Sequence, residues 1–303
     1  MEDREATTWR LILIRVLRYA AALYLAAVLM MSFLERRLVY PAPPVERGDW
    51  SASEADSPTA PRDVWIASED GVEVHGWFYD APEADRVVLY CHGNGDHVAD
   101  SDALMRTIRR ELKAAVLVFD YRGYGKTRGP DDERPVPTER AVLADGAAAQ
   151  FWLAERTGRR ADELVIIGRS LGGGVATALA AEHGAAALLL QDTFTRLTDA
   201  AAYHHPWLPV RWIMTNRYDS LARIVRYQGP LIVSHAEHDR VVPFSHAKRL
   251  FDACPSRDKR YLPQATRGHL DPMPIGYWVA VREMLEISGG RNHSPTPTDR
   301  LGG

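Results

Sequence analysis

The chain has 303 residues, is 46% hydrophobic and 25% charged, and carries a formal net charge of -3 at pH 7. That balance supports one large globular domain, or two small ones, with a real core, and it lacks the basic footprint of a nucleic-acid binder. The two cysteines, Cys91 and Cys254, lie outside any CxxC, which argues against a structural zinc site and favours two buried free thiols.

The N-terminal segment from Leu11 to Leu34, "LILIRVLRYAAALYLAAVLMMSFL", is apolar over about 24 residues, where roughly 20 span a bilayer. Arg15 and Arg18 fall near its start, where long side chains reach the headgroups. Glu35, Arg36 and Arg37 follow the apolar run where a cleaved signal peptide needs small residues. An uncleaved anchor over residues 1–38 is therefore favoured over a signal peptide or an interfacial helix. Arg4, Arg10, Arg15 and Arg18 precede the apolar core, and Arg36, Arg37 and Arg47 follow it. This slight excess favours an N-terminus inside and the bulk of the chain on the extracytoplasmic side.

A Pro-rich linker leads to "RDVWIAS" and "VEVHGWFYD", which flank "EDG" as a hairpin. Short runs rich in Val, Leu and Ile then alternate with longer segments of helical period. The runs are "RVVLYCH", "AAVLVFDY", "ELVIIG", "AALLLQD", "PLIVSHAE" and "KRYLPQA". Apolar runs of this kind between helices predict an α/β domain over residues 39–288, with a mostly parallel central sheet and helices on both faces. The connection over residues 193–229 is too long to be a plain loop and predicts a small cap insertion. Residues 289–303, rich in Gly, Pro, Ser and Thr, read as a disordered tail.

Ligands of an open parallel sheet gather at the carboxyl ends of its strands. There, "ELVIIG" runs into Gly168-Arg169-Ser170-Leu171-Gly172 and then at once into helix. In a strand-to-helix turn this sharp, the serine hydroxyl stands clear of the sheet and the Leu171 amide is free to donate to an oxyanion. The other reading of Ser170 is an ordinary helix N-cap. A phosphate loop is disfavoured, since Gly125-Lys126-Thr127 ends a Walker-like pattern whose first position is Asp120.

A serine nucleophile needs a base and an acid to orient that base, in the chain order Ser, Asp or Glu, His. "HAEHDRVVPF" supplies Asp239, with Glu237 and Asp271 as rivals, and "QATRGHLDP" supplies His269 as base. His235 and His238 could be a metal pair, but they sit in a strand-end loop without HExxH, so no metal is expected. The glycine loop "YCHGNGDH" offers the Asn94 amide as second oxyanion donor; the alternative is a turn without a role. His92 reads as a brace for this loop.

"CHGNG", "FDYRGYGKTRG", "GRSLGGG", "LPVRWIMTNRYDSLARI", "HDRVVPF" and a late "GH" occur in this order, and "ERRLVYPAP" follows the apolar helix. In these motifs the chain resembles the membrane-anchored α/β-hydrolase-domain proteins, a family that includes depalmitoylating thioesterases and lysophospholipid or monoacylglycerol lipases. The resemblance runs from about Arg10 to about Ile287. It implies the α/β-hydrolase fold, Ser170 as nucleophile, Asp239 as acid, His269 as base, and Asn94 and Leu171 as oxyanion donors. Departures are local: "HAEHD" stands where many relatives carry "HGD", Leu270 where many carry asparagine, and "ATRGH" is a longer approach to the base. The expected function is a membrane-anchored serine hydrolase that cleaves small-molecule acyl esters or thioesters without a cofactor. An amidase or peptidase on the same triad, or a non-catalytic binding protein on the same fold, are the alternatives.

Overall fold

A computed structural model describes residues 2–57 and 59–292 of the chain. The expected tail lies outside the described residues from 293 onward; residues 289–292 continue the last helix.

Helix α1 (Glu2–Val39) comes first, and its stretch Thr7–Val39 is long and apolar enough to cross a membrane. Strands β1 (Arg62–Ala67) and β2 (Glu73–Tyr79) form the expected hairpin. Strand β3 (Arg86–Cys91), helix α2 (Asp102–Leu112), strand β4 (Ala114–Phe119), helix α3 (Glu139–Thr157) and strand β5 (Val165–Arg169) follow. Helix α4 (Leu171–His183) and strand β6 (Ala187–Gln191) lead to the insertion, which is three short helices, α5 (Leu197–His204), α6 (Val210–Ile213) and α7 (Ser220–Ile224). Strand β7 (Leu231–Ala236), helix α8 (Ser245–Ala253), strand β8 (Lys259–Gln264) and helix α9 (Ile275–Asn292) complete the order.

The sheet runs β1-β2-β4-β3-β5-β6-β7-β8, antiparallel through β1, β2 and β4 and parallel from β4 to β8. Strands β4, β6 and β7 are buried along their whole length, which is why they read as unbroken apolar runs. In β4, Ala115, Leu117 and Phe119 face one core with Val142 of α3 and Val175 of α4. Ala114, Val116 and Val118 face the other, with Met105 of α2 and Val281 of α9. This period of two puts α3, α4 and α8 on one face and α2 and α9 on the other. Because β3 and β5 to β8 are parallel, their carboxyl ends share one edge. The loops carrying Asn94, Ser170, Asp192, Asp239 and His269 all leave from that edge. Cys91 and Cys254 are buried free thiols.

Candidate functional site

Ser170 sits between β5 and α4 with φ 52° and ψ -118°, a left-handed backbone rare for a residue with a side chain. Such a conformation costs on the order of 1–3 kcal/mol and persists only where its surroundings hold it. Here the Ser170 amide donates to Gln191 O at 2.9 Å, and its carbonyl accepts from Thr193 Oγ1 at 2.7 Å. The flanking glycines explain why the turn closes at all. A Cβ on Gly172 would lie 2.0 Å from the Cys91 carbonyl oxygen, and one on Gly168 2.4 Å from the Gly172 oxygen. Close approach of α4 to β3 therefore requires glycine.

The turn aims Ser170 Oγ at His269 Nε2, 3.1 Å away. His269 Nδ1 lies 2.7 Å from Asp239 Oδ2. The other carboxylate oxygen, Oδ1, accepts from the amides of Val241 at 2.7 Å and Val242 at 2.8 Å. Burial alone would raise the Asp239 pKa, but hydrogen bonds from His235 and His269, the charge interaction with His269 and the Val242 amide outweigh it. The carboxyl is held well below the usual carboxylate range. Of the three acid candidates, only Asp239 reaches the imidazole. Glu237 is exposed beyond β7, and Asp271 Oδ2 accepts from the Gly268 amide at 2.7 Å, shaping the loop that carries His269.

His235 lies inside β7 and not past it as expected, with Nε2 3.1 Å from Asp239 Oδ2 and 3.0 Å from Val242 O. His238 is exposed, so the two imidazoles do not converge. Asp192, His235 and Asp239 do bring ligand atoms within 4.8 Å of one another. Asp192 is already engaged by the Ala236 amide at 2.8 Å and by Arg267 at 3.1 Å, so the cluster reads as a polar brace under the Asp239 loop. Gly125-Lys126-Thr127 belongs to a turn that Thr127 Oγ1 closes onto Asp120 O at 2.8 Å.

Leu171 opens α4, where an amide has no partner within the helix. Asn94 is held through Oδ1 by the Tyr124 hydroxyl at 2.7 Å, and His92 stacks on Tyr121 with centroids 4.2 Å apart, bracing the loop as expected. Asn94, Ser170 and Leu171 together line a cavity of about 400 Å³. That volume suits a small-molecule ligand. The cap supplies Leu197, Ala201, Leu208, Val210, Ile213 and Met214 to its walls. Tyr203, Trp207 and Trp212, from the same segment, are exposed instead; Trp212 is 86% exposed.

The family profile described as "Serine aminopeptidase, S33" matches residues 82–222. Over 273 residues the chain is 34% identical to the uncharacterized protein Rv2307c of Mycobacterium tuberculosis, covering 85% of this chain and 89% of that protein. The chain belongs to the α/β-hydrolase family. This hydrolase is also 32% identical over 185 residues to the lysophosphatidylserine lipase ABHD12 of Danio rerio, covering 55% of this chain and 46% of that one. Its fold matches the Pyrococcus furiosus esterase Pf2001 with a TM-score of 0.66 at 18% identity, over 83% of this chain and 97% of that chain.

Several residues of the hydrolase's site carry no local sequence signal. Arg169 donates to the His269 carbonyl at 2.5 Å, tying the Ser170 turn to the His269 loop. Arg267, 6% exposed, binds Asp192 and Pro272 O at 3.0 Å. Leu270 is 77% exposed, and the loop carrying it delivers His269 to Asp239. Met31, Ser32, Glu35, Leu38 and Val39 of α1 also line the cavity. The expected boundary at residue 38 thus runs through a wall of the cavity.

Proposed function

We propose that this hydrolase is a membrane-anchored serine esterase or thioesterase acting on acyl lipids, with α1 crossing the bilayer and the α/β domain on the extracytoplasmic side. The observation that carries this reading is the unbroken relay Ser170–His269–Asp239, whose serine lines an apolar cavity. His269 Nε2 takes the proton of Ser170 Oγ as that oxygen attacks the acyl carbonyl. Asp239 holds the tautomer and stabilises the imidazolium, and the Asn94 and Leu171 amides receive the developing oxyanion. His269 then protonates the leaving group, and water, activated by the same base, releases the acid. The lipase activity named for the ABHD12 relative supports an acyl substrate.

The name of the matching family profile favours a second reading, an aminopeptidase. Such an enzyme needs a free carboxylate for the substrate ammonium. Glu35 is the one carboxylate lining the cavity among the described residues, and Thr215 and Asn216 already occupy its oxygens. Purified full-length protein is expected to be labelled by a fluorophosphonate and to cleave p-nitrophenyl esters or acyl thioesters faster than aminoacyl p-nitroanilides. Ser170→Ala is expected to lose both labelling and turnover, by on the order of 10⁴- to 10⁶-fold in rate. A mutant that keeps a tenth of wild-type activity would refute the nucleophile assignment. Preference for the anilides would select the aminopeptidase, and absence of labelling would leave a binding protein.

A further inference from the structure

Two motifs of the chain find each other in the fold. "ERRLVYP", at the end of α1, meets "TNRY", in the cap. Glu35 is 8% exposed, and its carboxylate accepts from the Thr215 amide at 2.9 Å, the Asn216 amide at 2.9 Å, Thr215 Oγ1 at 3.0 Å and Asn216 Nδ2 at 2.8 Å. Asn216 Oδ1 in turn accepts from the Tyr40 hydroxyl at 2.9 Å and from the Glu139 amide at 2.7 Å. A buried carboxylate with four distinct donors is a fixed joint, because losing any one of them leaves charge unsatisfied in a low dielectric. Anchors that merely tether a domain do not need such a joint.

The joint sets where the helix runs. Tyr24 donates its hydroxyl to Trp207 O at 3.0 Å, and Val28 and Met31 pack against the domain core. Positions 24, 28, 31, 35 and 38 recur at helical spacing on one face. From Tyr24 to Glu35 the contact follows α1 for about 16 Å. Most of that length belongs to the apolar run ending at Leu34, so the cap lies beside helix that is built for lipid. Only 17 residues, Thr7 to Leu23, precede the cap contact at Tyr24 within the span, about 25 Å where the hydrocarbon core is about 30 Å. The contact therefore begins inside the bilayer boundary. Trp207, whose carbonyl meets Tyr24, and Trp212 are 56% and 86% exposed, and exposed tryptophans are enriched at membrane interfaces.

We infer, resting on the hydrolase reading above, that the end of α1 is the specificity wall of the active site. The acyl chain of a single-chain amphiphile enters sideways from the adjoining leaflet and lies between Met31 and Leu38 of α1 and Leu197, Ala201 and Met214 of the cap, its carbonyl reaching Ser170. Glu35 is the positioning residue that holds this wall against the cap.

The test uses the full chain in detergent micelles or nanodiscs with p-nitrophenyl esters from acetate to dodecanoate. Met31→Trp fills the slot from α1; Leu29→Trp places the same ring on the opposite face, where Leu29 is 61% exposed and does not line this cavity. A bound methylene contributes up to about fourfold in kcat/KM. Met31→Trp, which denies the chain two or more methylenes, is expected to lower the dodecanoate-to-acetate ratio at least tenfold. Leu29→Trp is expected to stay within twofold of wild type. Equal ratios in the two variants overturn the wall.

A second measurement is independent of turnover and of the folding of Met31→Trp. Ser170→Ala protein is photolysed with a palmitate analogue carrying a diazirine near its methyl end, and the adducts are mapped. Adducts on Met31 or Leu38 together with Leu197, Ala201 or Met214 support the wall even if no ester is hydrolysed. Adducts only on outward residues such as Leu23, Leu25 and Leu29, as any membrane helix would give, overturn it.

Discussion

Among the described glycines, Gly172 makes the closest approach to other backbone, against the end of β3 and the loop that follows it. A methyl there meets the carbonyl oxygens of Cys91 at 2.0 Å and His92 at 2.5 Å, and both are backbone atoms that cannot swing aside. Moving α4 away would carry Ser170 off its line to His269 and open the gap between Leu171 and Asn94. Gly172→Ala is expected to cost at least about 2 kcal/mol, roughly 4–8 °C in Tm. Gly276, near the start of α9, has nothing within 4 Å of its would-be Cβ. Gly276→Ala is expected to hold or raise Tm, since alanine is the better helix former by up to about 1 kcal/mol. Thermal unfolding of the two variants side by side checks the assignment. A small shift for Gly172→Ala would mean that the turn tolerates a side chain and that its glycine is incidental.

Between sheet and cap, the joint is a histidine. His246 lies in the first turn of α8, is 4% exposed, and its Nδ1 accepts from the Thr195 amide at 3.0 Å just where the chain leaves β6 for the cap. Burial, and then the positive charge of Arg249, push its pKa from 6.5 down to about 4. The folded protein keeps this ring neutral while the unfolded chain protonates it near 6.5. Between those values the unfolded state binds the extra proton, so stability falls as pH drops from about 6.5 to about 4 and gains nothing further from this group above that range. Asp239 contributes in the same sense but lower, because its depressed pKa releases stability only as pH falls below the ordinary carboxylate range. Wild-type Tm measured from pH 7.5 to 4.5 is expected to decline with acid, and His246→Asn to flatten that decline. An unchanged slope would assign the acid sensitivity elsewhere.

For the molecule as a whole, α1 is long and apolar enough to cross a membrane, and its end lines the candidate site. Full-length protein is expected to stay in the membrane fraction through alkaline carbonate and to leave it only with detergent, since no other element of the described chain shields the exposed run from Leu11 to Leu25. Release by carbonate would contradict the spanning helix. Removing residues 1–38 deletes Met31, Glu35 and Leu38 together. It leaves Thr215 and Asn216 without their buried acceptor, so a freely soluble truncated domain is not the expected outcome.

Much of this architecture was legible from residue order alone. Unbroken apolar runs announced buried parallel strands because a strand covered on both faces has no polar side to show. Gly168-Arg169-Ser170-Leu171-Gly172 announced the sharp turn because its geometry admits no Cβ at the flanking positions. Ser170, Asp239 and His269 were picked out by the α/β-hydrolase chain order of serine, acid and histidine together with their places after successive strands, whose ends deliver side chains to one edge. Contacts between distant segments left no such local trace. Glu35 and Asn216 are 181 residues apart, and a glutamate after an apolar helix looks the same whether it faces water or a cap. Trp212 and Met214 are two positions apart in one apolar stretch, yet one faces outward and the other lines the cavity. Hydropathy records how much a side chain avoids water, not which neighbour removes it from water. That choice was made only when α1, the cap and the sheet closed on one another.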